Sequence, residues 1–216
     1  MTTVIALTNR KSLYLPDAIA SLNNLTGWER LVIVDDSGDD AWRDELGWHY
    51  PDAEIVPVAQ EPAGYTRAMH VVWFMARQTG GPIFFLEEDF TIDRPVSIAD
   101  LKALLDADVT LAQVALQRQA WYRVEKSHGL IGAQKRRGHQ FTDHGTHLTH
   151  TACFTGNPCL IPERTFTVDW PGGTWTEDAM TDRLTANGMR FAYFGHDGDE
   201  YVTHHGRKRA ESSHGY

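Results

Sequence analysis

Short apolar runs alternate with amphipathic stretches through the first half of the chain. Continuous apolar runs are typical of strands buried on both faces of a parallel sheet, and they lie here at Val4–Leu7, Leu31–Val34, Glu54–Val58, Ile83–Leu86 and Val109–Leu116. Helical spacing and capping residues predict intervening helices from Pro16 to Leu22, from Asp39 or Asp40 to Leu46, from Ala63 to Gln78 and from Ser97 to Asp106. The alternation predicts an α/β, Rossmann-like fold with a mostly parallel central sheet flanked by helices.

The alternating pattern breaks after the fifth strand. The segment Trp121–His150 is rich in Gly, His, Lys and Arg and shows little periodicity, which predicts an irregular functional flap. Regular structure is predicted to resume at Ala152–Ile161, in a helix capped by Thr176 and ending at Asn187, and in strands at Arg190–Phe194 and Tyr201–His205.

Composition narrows the class of protein. With 216 residues, 42% of them hydrophobic, the chain is expected to be a single globular domain, residues 1–216. No apolar run approaches the ~20 residues needed to span a membrane, and no basic segment precedes the first apolar run as in a signal peptide. The two cysteines suit buried thiols in a reducing compartment, so a cytoplasmic protein is expected.

Charge is distributed unevenly along the chain. The net charge is −9, which disfavours a protein that coats nucleic acid. The segment Leu116–His150 nevertheless holds six Lys/Arg residues against two acids, a net of +4, which leaves −13 for the rest. Five of the eleven histidines also lie there. The segment therefore suits an anionic partner.

An acidic triplet, Glu87, Glu88 and Asp89, directly follows the strand Ile83–Leu86. Ligands of open α/β sheets bind beyond the carboxyl ends of the strands. Three carboxylates there repel one another unless a cation or hydrogen-bond donors hold them, and hard oxygen ligands suit Mg²⁺ or Mn²⁺. The alternative is a solvated acidic turn.

Further polar residues are expected at the same edge of the sheet. Asp35 and Asp36 follow the second strand, and Thr8, Asn9 and Arg10 follow the first. Carboxylates there can accept hydrogen bonds from a base N–H group or a ribose hydroxyl. No glycine-rich dinucleotide or P-loop motif follows the first strand, so those two classes of nucleotide site lose their main support.

Four motifs together resemble the GT-A glycosyltransferases, in particular those of family 2. The stretches VIALTNR and VIVDDSGD look like the nucleotide-binding half of that family, and FFLEEDF stands where its metal-binding DxD motif stands. WTEDAMTDRL resembles the family's xED motif, and Thr203-His204-His205 resembles its late metal-binding histidine. The resemblance implies a nucleotide-sugar-binding half, residues 1–118, and an acceptor-binding and catalytic half, residues 119–216.

The resemblance also implies roles for single residues. Asp89 is the expected main ligand of Mn²⁺ or Mg²⁺, and His204 or His205 is expected to complete the metal site. Glu87 is expected to contact the ion or the ribose, with Glu88 beside the donor, and Asp36, or alternatively Asp35, to bind the nucleobase. Asp178 is the implied general base and Glu177 helps to position substrate hydroxyls. Arg207, with Lys208 and Arg209, is expected to neutralise the leaving diphosphate.

The expected reaction is transfer of a sugar from a nucleotide-diphosphate sugar, with a UDP-sugar favoured, to a hydroxyl group. A single base without a second nucleophile favours inversion of configuration. Arg67 is expected either to face the diphosphate or to be solvated, and Trp175 either to stack on a sugar or to pack in a turn. The basic segment, including Lys135, Arg136 and Arg137, is expected to bind the acceptor.

Several alternatives stay open at the level of sequence. The acceptor is a hydroxymethylated DNA base, a protein side chain or a glycan. Glu177 and Asp178 also suit the N-terminus of any helix, and His204-His205 suits a solvated tail. The competing functions are nucleotidyl transfer, metal-dependent hydrolysis and non-catalytic binding of a nucleotide sugar.

Overall fold

The computed structural model describes residues 1–9, 14–61 and 63–206. Its strands are β1 Thr3–Thr8, β2 Leu25–Thr26, β3 Arg30–Asp35, β4 Glu54–Pro57, β5 Ile83–Glu87, β6 Phe90–Ile92, β7 Val96–Ser97, β8 Leu111–Leu116, β9 Phe141–Asp143, β10 His147–His150, β11 Cys159–Ile161, β12 Arg190–Phe194 and β13 Val202–His204. Its α-helices are α1 Leu15–Ser21, α2 Asp40–His49, α3 Tyr65–Thr79, α4 Ile98–Ala107, α5 Arg123–His128, α6 Leu130–Arg136 and α7 Thr176–Ala186.

A nine-stranded sheet forms the centre of the fold, in the order β4-β3-β1-β5-β11-β8-β12-β10-β9. The first four strands of this order are parallel, and so are β8 and β12, whereas β11 runs antiparallel between β5 and β8. Helix α3 packs through Met69, Val72 and Trp73 into one hydrophobic cluster, and α4 packs through Leu101 and Leu105 into another. The predicted α/β fold with a mostly parallel sheet is confirmed.

Local sequence signals explain where several helices begin and end. The Asp39 side chain accepts hydrogen bonds from the backbone N–H groups of Ala41 and Trp42 and so caps α2, and Ser97 caps α4 in the same way. Helix α3 stops at Gly80, whose left-handed backbone (φ 61°) is accessible to glycine without strain. These boundaries are the ones that the sequence predicts.

The segment 121–150 differs from the prediction, because it is not an irregular flap. It contains the helices α5 and α6 and the hairpin β9–β10, which extends the central sheet beyond β12. The two helices have only six and seven residues and are separated by Gly129 (φ 75°), so neither is long enough to show a clear apolar period. Leu130, Ile131 and Leu148 nevertheless reach the core.

Two predicted boundaries in the second half are also wrong. The regular structure expected at Ala152–Ile161 is confined to β11, because the preceding residues form a loop. Helix α7 begins at Thr176, and the capping position is occupied by Trp175 in a left-handed conformation (φ 57°, ψ 44°). The strands predicted near residues 190 and 202 are confirmed as β12 and β13.

A small separate sheet pairs β13 with β6 in antiparallel register, with His204 opposite Phe90. The backbone N–H of His205 continues this pairing by donating to the carbonyl oxygen of Asp89 at 2.7 Å. The pairing therefore brings the late histidines to the acidic triplet at the end of β5. Within the described residues no helix has the length and apolar character needed to cross a bilayer.

Candidate active site

The two acids at the end of β3 accept hydrogen bonds from groups within the chain. Asp35 is buried and accepts hydrogen bonds from Ser37 and from Arg43 Nε at 3.0 Å. Asp36 is also buried, and its two carboxylate oxygens accept the backbone N–H groups of Ala63 and Gly64, each at 2.8 Å. Asp36 thus fixes the loop that leads into α3, and its exposed surface is only 2%.

Glu88 turns away from its neighbours and towards β1. The Thr8 hydroxyl donates a hydrogen bond to Glu88 Oε2, and the backbone N–H of Asn9 approaches Oε1 at 3.4 Å. The Glu88 side chain is therefore part of the floor of a cleft whose polar lining is Asn9, Asp36, Tyr65, Glu87, Glu88 and Asp89. The predicted donor-binding residues Thr8, Asn9, Asp36, Glu87 and Glu88 thus gather at one edge of the sheet.

Two acids from distant parts of the chain meet on the other side of this cleft. The Tyr65 hydroxyl lies 3.0 Å from Glu87 Oε1 and 3.5 Å from Glu177 Oε1. The backbone N–H of Gly156 also donates to Glu177 Oε1. A side chain at Gly156 would overlap Glu87 Oε1 and approach Glu177 Oε1 to 2.8 Å, so any larger residue there would push the carboxylates apart.

The environment of these two acids favours their neutral forms. Burial raises the pKa of Glu87 well above its usual range, and the charges of Asp89 and Glu177 raise it further. Burial also raises the pKa of Glu177, although the hydrogen bond from the Gly156 N–H opposes this shift. Within the described residues neither carboxylate forms an ion pair with Lys or Arg, so a cation at this position would relieve their mutual repulsion.

Asp89 and His204 are the two described side chains whose arrangement most resembles a metal site. His204 Nε2 lies 3.3 Å from Asp89 Oδ2, and a side chain at Gly206 would overlap that oxygen and come within 2.6 Å of that nitrogen. A carboxylate oxygen beside an imidazole nitrogen fits Mn²⁺, and the oxygen also fits Mg²⁺. In the part of the chain that the structure describes, no three His, Cys, Asp or Glu residues are already grouped as metal ligands.

The second predicted histidine lies elsewhere. His205 Nε2 contacts the Thr91 hydroxyl at 2.8 Å on the exposed side of the small sheet. Adjacent residues of a strand point to opposite sides, so only one of the two histidines can face Asp89. The sequence left this choice open, and the geometry favours His204.

The first turn of α7 separates the two acids of the predicted catalytic motif. Glu177 points into the cleft, as described, whereas Asp178 is exposed and forms no hydrogen bond or ion pair with the described residues. Trp175 precedes them and is 75% exposed. Its left-handed backbone is uncommon for a large residue, and such strain tends to be kept at functional sites.

Among the described residues, the predicted cations do not form a cluster around the acids. Arg67 is exposed on α3, and Arg136 and Arg137 are exposed at the end of α6, whereas Lys135 forms an ion pair with Asp197 at 3.2 Å. Arg10 and Arg207, together with Lys208 and Arg209, lie outside the described residues.

Sequence reasoning missed Tyr65 and Gly156. Each contacts both Glu87 and Glu177, from positions that no local motif marks. For Tyr65 the sequence offered one signal, which was its place at the start of a predicted helix close to an acidic strand end. For Gly156 it offered none, since glycines are frequent in loops.

Comparison with solved structures identifies the fold. TarS 1–349 from S. aureus is 13% identical and superposes with a TM-score of 0.63 over 94% of this chain and 60% of its own. Its complex with UDP-GlcNAc gives 12% identity and a TM-score of 0.63, over 97% of this chain and 59% of that one. The mannosyltransferase PcManGT from Pyrobaculum calidifontis, in complex with GDP-Man and Mn²⁺, is 16% identical with a TM-score of 0.63, over 97% and 58%.

The chain has the GT-A glycosyltransferase fold, as these structural neighbours indicate. It spans about three fifths of the length of each of them. No protein-family model matches the sequence, and comparison with curated proteins finds no similar sequence.

Proposed function

We propose that the protein is a metal-dependent glycosyltransferase that moves a sugar from a nucleotide-diphosphate sugar to a hydroxyl acceptor with inversion of configuration. The observation that carries this proposal is the meeting of Asp89, His204, Glu87 and Glu177 at the carboxyl edge of a GT-A sheet. Neighbours with this fold are complexed with UDP-GlcNAc or with GDP-Man and Mn²⁺. On this proposal residues 1–118 bind the donor, and residues 119–216 carry the acceptor-binding and catalytic groups.

The donor site is proposed to use the acids according to their surroundings. Asp89 and His204, with Glu87, would hold Mn²⁺ or Mg²⁺, which when bound neutralises charge on the leaving diphosphate. Asn9 and Asp36 line the cleft and Thr8 supports Glu88 beneath it, so these residues are proposed to bind the nucleoside of the donor, for which a UDP-sugar is proposed. Because both oxygens of Asp36 already accept backbone N–H groups, its contact with a base would use the remaining lone pairs.

Chemistry at the acceptor is proposed to involve the first turn of α7. Asp178 is exposed and has no partner among the described residues, so its carboxylate is available to accept a proton from the attacking hydroxyl. Glu177 is held by Tyr65 and Gly156 and positions the sugar or acceptor hydroxyls. One base on one face, without a second nucleophile, gives a single displacement and therefore inversion.

The proposed acceptor is anionic, and DNA with a hydroxymethylated base is the case to test first. Arg136 and Arg137 are exposed at the end of α6, next to Lys135. Each phosphate that a cation neutralises steepens the fall of log K with log salt by about 0.9. Replacing Lys135, Arg136 and Arg137 by Ala should weaken acceptor binding and flatten that slope while donor binding is retained. An unchanged slope would exclude this surface from acceptor binding.

The decisive experiment incubates the protein with Mn²⁺ and a panel of nucleotide sugars and measures release of nucleoside diphosphate. Release that requires Mn²⁺ and is lost in Asp89→Ala is expected. Release of sugar 1-phosphate instead would indicate nucleotidyl transfer. Tight binding of a nucleotide sugar without turnover, with every acceptor class supplied, would indicate a non-catalytic binding domain.

A further inference from the structure

The imidazole of His204 is held by two aromatic rings. The Phe90 ring is stacked on it, with a centroid distance of 4.5 Å and an interplanar angle of 11°. The Trp121 ring also packs against it, 4.3 Å away at a tilt of 43°. Phe90 is the cross-strand partner of His204, whereas Trp121 comes from the connection between β8 and α5.

The orientation of this imidazole depends on packing, because its second nitrogen makes no hydrogen bond with the residues that the structure describes. A metal-binding histidine usually donates its other N–H group to a carboxylate or carbonyl, which fixes the plane of the ring. His204 Nδ1 is buried and has no hydrogen-bond partner in the structure. The two flanking rings are therefore what restricts rotation of the side chain and keeps Nε2 beside Asp89 Oδ2.

The backbone of His204 is held by Gln119, which belongs to the same connection between β8 and α5 as Trp121. Its N–H donates to Gln119 Oε1 at 2.9 Å, and Gln119 Nε2 donates to its carbonyl oxygen at 3.0 Å. The side-chain amide of Gln119 thus takes the place of a neighbouring strand beside β13. This arrangement holds the Cα of His204 while the rings hold its imidazole.

Trp121 is held in turn by a buried ion pair. Glu125 Oε2 accepts the backbone N–H groups of Trp121 at 2.8 Å and Tyr122 at 3.0 Å. Arg118 binds both oxygens of Glu125, at 2.7 and 2.9 Å, and both side chains are at least 89% buried. A buried carboxylate with four donors has little freedom, so Trp121 is anchored at a defined height over His204.

We propose that Trp121, anchored by Glu125, is a positioning residue that orients the imidazole of His204 towards Asp89. The inference rests on the metal role of His204 in the proposed function. Glu125 belongs to α5, the helix that presents Arg123 and Lys126 to solvent. The anchor therefore joins the basic part of the acceptor-binding half directly to the pair that is proposed to bind the metal.

The test compares Trp121→Leu with Trp121→Phe, which keeps an aromatic ring, and with Trp48→Leu, which removes an indole that is 88% exposed on α2. The first measurement is made on the metal-free protein by NMR. Ring currents from Phe90 and Trp121 should shield the His204 ring protons. Trp121→Leu should reduce that shielding, Trp121→Phe should retain much of it, and Trp48→Leu should leave it unchanged.

The second measurement is Mn²⁺ binding in the presence of UDP, followed by electron paramagnetic resonance. Loss of a residue that orients a metal ligand typically weakens metal binding by about 10- to 100-fold. We expect that loss in Trp121→Leu, with the Mn²⁺ concentration for half-maximal rate raised by the same factor and kcat at saturating Mn²⁺ retained. Gln119→Leu, which removes both backbone contacts, should also weaken Mn²⁺ binding. This variant replaces Trp121→Leu in the test if Trp121→Leu does not fold.

Two results would overturn the proposal. One is unchanged shielding of the His204 ring in folded Trp121→Leu, and the other is altered shielding with unchanged Mn²⁺ affinity. If the wild-type protein itself binds no Mn²⁺ with UDP, the metal role in the proposed function fails. The ring-proton shifts then still decide whether Trp121 holds the imidazole.

Discussion

Two pairs of acids lie at the same edge of the sheet in opposite surroundings. Asp35 and Asp36, after β3, are matched by Arg43 and by the backbone N–H groups of Ala63 and Gly64. Glu87 and Glu177 instead face each other across Tyr65 and Gly156, without an ion pair to Lys or Arg in the described part of the chain. The first pair stabilises the fold, and the second pair keeps a repulsion that folding alone does not relieve.

The difference shows that acids at one edge of a sheet can be assigned to structural or ligand-binding roles from the hydrogen bonds that they already make. A carboxylate whose oxygens are already hydrogen-bonded has little to gain from a ligand. A buried carboxylate with a raised pKa and few donors gains much from an arriving cation or hydroxyl group. Changes at Glu87 and Glu177, the uncompensated pair, should therefore mainly affect turnover. Changes at Asp35 and Asp36, the compensated pair, should mainly affect stability.

The largest effect is expected at the exposed acid beside the uncompensated pair. Asp178→Asn should retain the fold and donor binding but lower kcat by about 10²–10⁴-fold, because a positioned general base contributes that much. The matched control is Asp182→Asn, one turn later on α7 and also exposed. Sugar transfer by Asp178→Asn at the wild-type rate would place the base elsewhere.

A steric change should disturb the uncompensated pair without removing a charge. Gly156→Ala puts a methyl group against Glu87 Oε1 and Glu177 Oε1, and these flexible ends must move apart. A displacement of about 1 Å in such a site can cost about 10²-fold in rate, so we expect a loss of that order in kcat with little change in melting temperature. Gly172→Ala enters open space and is the control. Equal activity of the two variants would contradict a role for the pair.

Replacing one acid should lower the free energy of unfolding at the compensated pair but not at the uncompensated pair. Asp36→Ala leaves the partly buried N–H groups of Ala63 and Gly64 without their acceptor, which costs about 1–3 kcal/mol in the free energy of unfolding. Glu87→Gln removes a charge that its neighbours repel, so it should not destabilise the metal-free protein. Urea unfolding in EDTA measures both variants. A larger loss in Glu87→Gln than in Asp36→Ala would reverse the comparison.

The smallest expected effect is on the pH dependence of the free energy of unfolding. The pKa of Glu177 is raised in the folded protein, so the folded state binds its proton more tightly than the unfolded state. Its contribution to the free energy of unfolding is therefore fully present below the ordinary carboxyl pKa and is lost as pH rises through the raised value. Glu177→Gln should flatten this fall in metal-free protein, whereas Glu61→Gln, an exposed control, should retain it. Parallel curves for wild type and Glu177→Gln would refute the effect.

The sequence predicted the parts of the fold that local pattern determines. The apolar run before Glu87 identified β5 and its acidic end, and Asp39 and Ser97 identified helix starts, because each signal acts over a few residues. The segment 121–150 was assigned wrongly because its elements are too short to show a period and take their stability from packing on β12 and on the core.

The missing parts of the candidate site are tertiary contacts. Tyr65 meets Glu87 across 22 residues and Glu177 across 112, so no motif spacing could have revealed either contact. The choice between His204 and His205 also needed the structure, because it depends on which side of β13 faces Asp89. Sequence could identify the acids, and only the fold could show which of them are compensated.

The antiparallel pairing of β6 with β13 has a consequence for biosynthesis. Asp89 and His204 are separated by 115 residues, and contacts of such long range carry a high loop-closure entropy and form late. A nascent chain can complete β1, β3 and β5 while residue 204 is still unsynthesised. The pair proposed to hold the metal therefore cannot assemble before the ribosome has passed His204, so nascent chains that end before this residue would lack it even where the parallel half of the sheet had folded.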